Sequence, residues 1–353
     1  MDFRSILMLH SDRYPRMQAQ DYVKLACQHA LGCGHMVKDY ETALARIYTE
    51  RPDGEMGVRF EDIGNGLVRL YLEGTDAFFS NETIARMFIS TANTFCVREN
   101  ALNSALSTLR TCVHTKDIAL SQADFEAFIA EYEKAGMPIV SHTNEYRSAY
   151  APAYRVIKKE FQTYAKLYEA LDSIRTQKPG AVIAIDGMCA SGKTTLAAQI
   201  GKVFDASVFH MDDFFLPPEK RTKERLSAPG GNVDSERFLE EILLPLHSSE
   251  AFSYRPFDCS EMALASPIQA KPADLNIVEG AYACHPDLIG YYDYIVLITI
   301  DSALQQQRIL ARNGEDMLKR FINEWIPMEM SYLSHFRIAE KADITYSISE
   351  SSI

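Results

Sequence analysis

From Ala181 to Ile200 the chain reads AVIAIDGMCASGKTTLAAQI, which sets a lysine and two hydroxyls directly behind a glycine-bounded turn. Gly187, Gly192, Lys193 and Thr194 fill the pattern G-x-x-x-x-G-K-[ST]. Met188, Cys189, Ala190 and Ser191 lie between the glycines, and Thr195 follows. Such a turn points backbone N–H groups inward, and the helix behind it adds the positive end of its dipole, so the ligand it suits is a phosphate chain. Lys193 can reach the β- and γ-phosphates, and the Thr194 hydroxyl can bind Mg²⁺. The apolar run Ala181–Ile185 ahead of the turn and the helix-prone segment after it give the strand, loop and helix of a P-loop.

Four carboxylates stand at the ends of apolar, strand-like runs: Asp186, Asp212, Glu279 and Asp301. In open α/β sheets the ligand lies beyond the carboxyl ends of the strands. Phosphoryl transfer to a hydroxyl there would need a metal site, a carboxylate to accept the proton, and cations for the developing charge. Asp213 adjoins Asp212. In a strand the two would point to opposite sides, leaving open which is the base and which faces the metal. Arg308 and Arg312 are four apart and share a helix face. His210 reads as a packed strand residue, and the Cys189 thiol as incidental.

The elements that would position these groups alternate from Gly180 onward, as in a mostly parallel sheet with crossover helices. Strands are expected at Ala181–Ile185, Ser207–Met211, Phe252–Pro256, Leu275–Val278, Tyr294–Ile300 and Ile344–Ile348. Helices are expected at Thr194–Phe204, Ser235–Leu246, Ala303–Ala311 and Asp316–Phe336, the last interrupted by Pro327. A loop rich in charge, proline and glycine joins Leu216 to Asn232.

Residues 1 to 150 read as a mainly helical domain without a recognisable catalytic constellation. Helices are expected at Ala19–His29, Asp39–Glu50, Asn81–Asn93, Glu99–Thr111 and Ser121–Ala135, with breaks at Leu31–His35 and a turn at Arg51–Gly54. A short hairpin could lie between Val58 and Leu72. The stretch from Ser141 to Arg155 is dense in Tyr, Arg and His. It reads as a capped turn with packing tyrosines, or as a phosphate-, base- or partner-reading site through Arg147 and Arg155. Residues 151 to 179 read as a connector, with one long helix from Tyr154 to Thr176, and residues 180 to 353 as the P-loop domain.

After the P-loop, HMDDFFLPP, GGNVDSERF, YRPFD, NIVEGAYA, YDYIVLITID and QQQRILARN follow in an order that resembles the uridine kinase and phosphoribulokinase branch of P-loop kinases, over about residues 180 to 348. The resemblance implies a P-loop NTPase fold and an ATP- and Mg²⁺-dependent kinase acting on a small-molecule hydroxyl, first of all the 5′-hydroxyl of uridine or cytidine. It implies Asp212 as the proton acceptor, Glu279 near Mg²⁺ through water, Asp234 holding sugar hydroxyls, and Tyr254, Arg255 and Asp258 lining the acceptor pocket. Lys193, Arg308 and Arg312 would stabilise the transferred charge. Asn232-Val233-Asp234-Ser235 stands where the family carries Asp-His-Pro-Asp, and Arg-Pro separates Tyr254 from Phe257. Those departures keep a different sugar or alcohol acceptor in view. A non-catalytic nucleotide switch with a protein partner is the alternative of another class.

Bulk composition narrows the rest. A formal net charge of -12 over 353 residues makes a general binder of nucleic acid or anionic membrane a poor expectation. Seven cysteines with no C-x-x-C pair argue for free thiols in a reducing compartment rather than a disulfide framework or zinc site. No stretch has the apolar length of a membrane span and the first residues lack a leader-like core, so a soluble cytoplasmic protein is expected. Homo-oligomer formation stays open.

Overall fold

The computed structural model describes residues 1–34, 37, 39–52, 59–74, 78–248 and 250–349. Part of the expected turn at Arg51–Gly54, the strand start at Val58, and His35 lie outside the described residues. The chain divides into two compact units, Met1–Glu169 and Ala170–Ile353.

The first unit opens with α1 (Phe3–Arg13), α2 (Ala19–Leu31) and α3 (Tyr40–Glu50), followed by the hairpin β1 (Phe60–Gly64) and β2 (Leu67–Tyr71). Then come α4 (Asn81–Thr94), α5 (Ala101–His114), α6 (Gln122–Lys134), α7 (Asn144–Tyr150), β3 (Tyr154–Lys158) and α8 (Lys159–Thr163). Side-chain caps start several of these helices: Asp2, Asp39, Ser80, Ser121 and Thr143 each accept the N–H three residues on. The hairpin turns at Asn65 and Gly66, both with positive φ. The long helix expected from Tyr154 is corrected: Tyr154–Lys158 is a strand, antiparallel to β2 with Tyr154 opposite Tyr71 and Lys158 opposite Leu67. Val156 and Ile157 are β-branched and buried in that sheet, and packing there outweighed the helical spacing of the apolar residues around them.

A polar network is sealed inside this unit. Arg69 is fully buried and reaches Glu61 Oε2 at 3.1 Å and Gln28 Oε1 at 2.7 Å. Tyr14 and Tyr71 donate to Glu61 at 2.6 and 2.9 Å. His142 lies 3.0 Å from Asp21 and 2.7 Å from Tyr154. The Tyr-, Arg- and His-rich stretch is therefore a capped turn with packing tyrosines: Thr143 caps α7, Tyr146 stacks on His142 at 4.0 Å, and Arg155 pairs with Glu50 at 2.9 Å.

The boundary of the two units falls within α9 (Ala165–Gln177), after which the second unit begins its sheet with β4 (Ala181–Gly187), α10 (Lys193–Phe204) and β5 (Ser207–His210). A 3₁₀ turn at Met211–Phe214 leads through α11 (Lys223–Ser227) to α12 (Ser235–Phe238). A π-helical turn, Leu239–Leu243, carries α12 into α13 (Leu244–Leu246). Four short strands follow, β6 (Phe252–Tyr254), β7 (Phe257–Asp258), β8 (Ala263–Leu264) and β9 (Ile268–Ala270). Next are β10 (Leu275–Glu279), β11 (Tyr294–Ile300), α14 (Ser302–Arg320), α15 (Ile326–His335), α16 (Ile338–Lys341) and β12 (Ile344–Ile348).

The main sheet runs β12-β11-β4-β10-β5, and each neighbouring pair is parallel. Every residue of β4 is buried, as a central strand covered on both faces must be. The fold is thus an α/β P-loop architecture. Strand order reverses on either side of β4, which puts the crevice of the switch point at its carboxyl end, where Gly187 begins the phosphate loop. Gly314 breaks helical geometry inside α14 with φ 80°, and ahead of Pro327 a π-helical turn, Phe321–Trp325, runs α14 into α15.

Candidate active site at the carboxyl end of the parallel sheet

The loop after β4 has the shape its glycines allow. Gly187 has φ 141°, and a Cβ there would lie 2.0 Å from the Ile298 carbonyl oxygen of the adjoining strand. Only glycine fits that approach. Gly192, φ 101°, is the N-cap of α10. Lys193 is buried and arches over the loop, its Nζ 2.9 Å from the carbonyl oxygens of Gly187 and Met188. The Ser191 hydroxyl, in the same loop, is buried and has no protein partner. A phosphate oxygen is the kind of acceptor that such a donor, the α10 N-terminus and Lys193 together would satisfy. Met188, Cys189 and Ala190 form the rest of the turn, and Thr195 follows Thr194 in the first turn of α10.

Asp186 supports the loop from beneath. It is fully buried, accepts from Gly187 N at 2.6 Å, Cys284 N at 2.8 Å and Tyr332 Oη at 2.7 Å, and burial raises its pKa. Asp301 is spent on capping α14, accepting from Ala303 N and Leu304 N.

The neighbouring strand ends bring in the remaining acids. The Thr194 hydroxyl lies 3.1 Å from Glu279 Oε1. A hydroxyl and a carboxylate side by side are hard oxygen donors suited to Mg²⁺, which commonly takes one or two protein ligands and completes its shell with phosphate and water. Among the described residues, no group of three or more His, Cys, Asp or Glu forms a self-sufficient metal cage. His210, expected to be a packed strand residue, instead pairs with Glu279, Nδ1 to Oε1 at 2.6 Å. That hydrogen bond raises its pKa against the pull of burial. The signal that could have found it is the parallel register, which sets His210 opposite Glu279.

Asp212 and Asp213 occupy a 3₁₀ turn rather than a strand, so strand alternation does not separate them. Their charged surroundings do. Asp212 is an exposed residue with much protein packed around it, and that desolvation raises its pKa together with the charge of Glu279, while Lys193, His210 and Arg312 pull it down. Burial also raises Asp213, whose opposing cations are His210 and Arg237. Asp212 therefore answers to the lysine of the phosphate loop and to Arg312, whereas Asp213 answers to Arg237 and is felt by Tyr254.

On α14, Arg308 Nη1 donates to Ala190 O at 3.0 Å, while Arg312 Nε donates to Asn313 Oδ1 at 2.8 Å. Arg308 thus bonds the phosphate loop directly, whereas Arg312 bonds its chain neighbour and its charge also lowers the pKa of Asp212.

The residues expected to line an acceptor pocket serve varied local roles. Asp234 is fully buried, caps α12, and holds Lys220 Nζ at 2.9 and 3.0 Å on its two oxygens. Tyr254 is buried with its ring 5.9 Å from that of Phe214. The Arg255 guanidinium donates to Ala265 O and Leu264 O, and Asp258 closes a turn on Ser260. Sequence reasoning passed over Arg237, whose guanidinium covers the Phe214 ring at 4.6 Å and bonds Glu241 and the Arg255 carbonyl oxygen. It also missed Gln305 and Glu329, which hold the Cys189 backbone from α14 and α15.

No protein-family model matches the chain, and no curated protein matches it. Among solved structures, one described as a possible uridine kinase from Bacillus stearothermophilus aligns over 51% of this chain and 99% of its own, at 21% identity and TM-score 0.39. Another, described as a candidate fructose transport system kinase from Silicibacter sp. TM1040, aligns over 48% of this chain and 90% of its own, at 22% identity and TM-score 0.38. An uncharacterized protein from Eubacterium ventriosum aligns over 48% and 89%, at 12% identity and TM-score 0.27.

Proposed function

We propose that the unit Ala170–Ile353 is an ATP-dependent phosphotransferase acting on a hydroxyl of a small molecule. The observation that carries the reading is the setting of Asp212: a carboxylate in the turn directly after β5, at the carboxyl end of the parallel sheet beside the strand that ends in Glu279, where the charges of Lys193 and Arg312 act on it. A protein that merely holds nucleotide has no use for a proton acceptor there.

In this reading the loop from Gly187 to Thr195 cradles the triphosphate, chiefly through the free amides at the α10 N-terminus, since those of Gly187, Met188, Cys189 and Ser191 are donated to protein acceptors. Thr194 and Glu279 would hold Mg²⁺, which supplies charge neutralisation between the phosphates. Asp212 accepts a hydrogen bond from the acceptor hydroxyl, turns its oxygen toward the γ-phosphorus, and takes the proton as the new O–P bond forms and the bond from the γ-phosphorus to the β-phosphate oxygen breaks, releasing ADP. Lys193, Arg308 and Arg312 meet the charge on the transferred group. His210 holds Glu279 in place by its 2.6 Å bond.

The family resemblance favours the 5′-hydroxyl of a pyrimidine nucleoside as acceptor. One observation favours a different sugar or alcohol: Lys220 covers both oxygens of Asp234, the carboxylate that would otherwise hold a ribose diol. ADP release measured with uridine, cytidine and a panel of sugars and alcohols decides between them. Turnover stimulated by at least one acceptor, and lost in Asp212→Asn, is the expected result. An ATPase background that no acceptor raises and that Asp212→Asn leaves intact would replace the transferase by a nucleotide-binding switch.

A further inference from the structure

We propose that Glu329 is a positioning residue of the phosphate loop that anchors the Cys189 amide and, by its charge, opposes the bound phosphates. The inference rests on the nucleotide-binding reading above and concerns the same site. Glu329 lies 140 residues from the loop in sequence, on α15, and is only 7% exposed. Its Oε2 accepts from Cys189 N at 2.8 Å. That amide, inside the G-x-x-x-x-G-K-T turn, is thereby engaged by a protein carboxylate. The same residue is held from its other side, since Gln305 Nε2 donates to Cys189 O at 2.9 Å. One residue on, Arg308 donates to Ala190 O.

The loop needs such support. Ala190 has φ 58°, a left-handed conformation that costs a residue with a Cβ roughly 1 kcal/mol or more. Gln305 and Arg308 fix the peptide groups on either side of that strained residue, and Glu329 fixes the peptide group just before them. Gln305 and Arg308 are neutral or cationic and would leave a phosphate ligand unopposed. Glu329 alone of the three brings a carboxylate into the shell of the loop; burial raises its pKa, while the Cys189 amide and then the charge of Lys193 favour its ionised form. Anchoring and repulsion therefore reside in one carboxylate, and substitution can separate them. Glutamine keeps an oxygen acceptor for the Cys189 amide and removes the charge; alanine removes both.

The test is calorimetric titration of the full chain with Mg·ADP and Mg·ATP. Glu329→Gln is expected to bind both more tightly than the parent, by roughly threefold or more, with the larger gain for Mg·ATP. Glu329→Ala is expected to bind both more weakly, by roughly tenfold, because a buried amide loses its partner. Should Glu329→Ala fail to fold in a melting scan, Glu329→Asp, which withdraws the carboxylate from the amide, is expected to weaken binding in its place. Glutamine binding no more tightly than the parent would overturn the proposal. A parent that binds neither nucleotide, giving the same blank titration as Lys193→Ala, would instead remove the nucleotide-site reading beneath it.

Discussion

His210 and Glu279 are opposite each other in the parallel pair of β5 and β10, and their side chains meet at 2.6 Å from Nδ1 to Oε1. Because the same Glu279 oxygen lies 3.1 Å from the Thr194 hydroxyl, the imidazole determines how the carboxylate faces the oxygen donors of the phosphate loop. Groups that orient a metal-binding carboxylate typically contribute ten- to a hundredfold to metal affinity. His210→Ala should therefore raise the Mg²⁺ concentration for half-maximal turnover by about tenfold while changing the nucleotide requirement little at saturating Mg²⁺. An unchanged Mg²⁺ dependence would leave His210 as packing only.

Lys193 is the loop's own cation, and its removal separates fold from function. The residue is buried against two backbone carbonyls of the loop, so Lys193→Ala loses two hydrogen bonds and no large apolar surface. The expected outcome is a folded protein, by circular dichroism, with no measurable turnover and nucleotide affinity reduced by roughly two orders of magnitude. Normal turnover would overturn the phosphate assignment.

The two adjacent aspartates should differ in kind. Asp212→Asn removes the proposed proton acceptor and should lower kcat by about 10² to 10⁴. Asp213→Asn should leave kcat within about tenfold and act on the acceptor's KM, since, beyond the His210 and Glu279 charges that both aspartates share, Asp213 is met by Arg237 and Tyr254 rather than by Lys193 and Arg312. Desolvation by the surrounding protein and the charge of Glu279 raise the pKa of the exposed Asp212, so the acidic limb of the pH profile should lie above the ordinary aspartate range, with activity rising as pH rises through it. Equal losses in the two variants would refute the division of roles.

The phosphate loop and the strands before Glu279 and Asp301 could be read from the sequence because their signals are local: glycine spacing, a five-residue apolar run, a helix cap. The N-terminal sheet was half legible. The hairpin turn at Asn65-Gly66 is a local signal, but the partner of β2 comes from Tyr154–Lys158, whose apolar spacing suits a helix as well as a strand. Glu329 and Tyr332 were not legible at all. They meet Cys189 and Asp186 across 140 and 146 residues, and short-range periodicity carries no information on such contacts. The pairing of Lys220 with Asp234 was hidden for a related reason: a loop's composition does not say which carboxylate its lysine will seek.

Gly187 provides a stability test confined to the second unit. With φ 141° and the Ile298 carbonyl oxygen 2.0 Å from where a Cβ would sit, Gly187→Ala must displace backbone in two central strands. A destabilisation of about 3 kcal/mol or more is expected, with loss of nucleotide binding. Gly290, with nothing near its Cβ position, is the control, and Gly290→Ala should melt within a few degrees of the parent. Equal melting temperatures would refute the close approach of the two strands.

The first unit should be acid-labile in a defined window. Burial depresses the pKa of His10 and of His142 to about 4, so both are neutral in the folded unit at neutral pH. Below the ordinary value of about 6.5 the unfolded chain binds protons that the folded unit refuses, so stability falls as pH drops from there toward 4. Glu61 is driven upward by burial but held down to about 2 by the charge that His10 takes on only at low pH, by Arg69, and by the Tyr14 and Tyr71 hydroxyls. Its contribution is complete above the ordinary glutamate range and is lost as pH falls from about 4.5 toward 2. A histidine displaced this far accounts for roughly 3 kcal/mol. Hydrogen exchange on the intact chain should therefore show protection of β1, β2 and β3 weakening between pH 6.5 and 4 and collapsing below it. His142→Gln, which keeps hydrogen-bonding groups without a titrating ring, should shift the first loss to lower pH. Protection that stays constant from pH 7 to pH 4 would mean that the two buried imidazoles do not set the unit's acid limit.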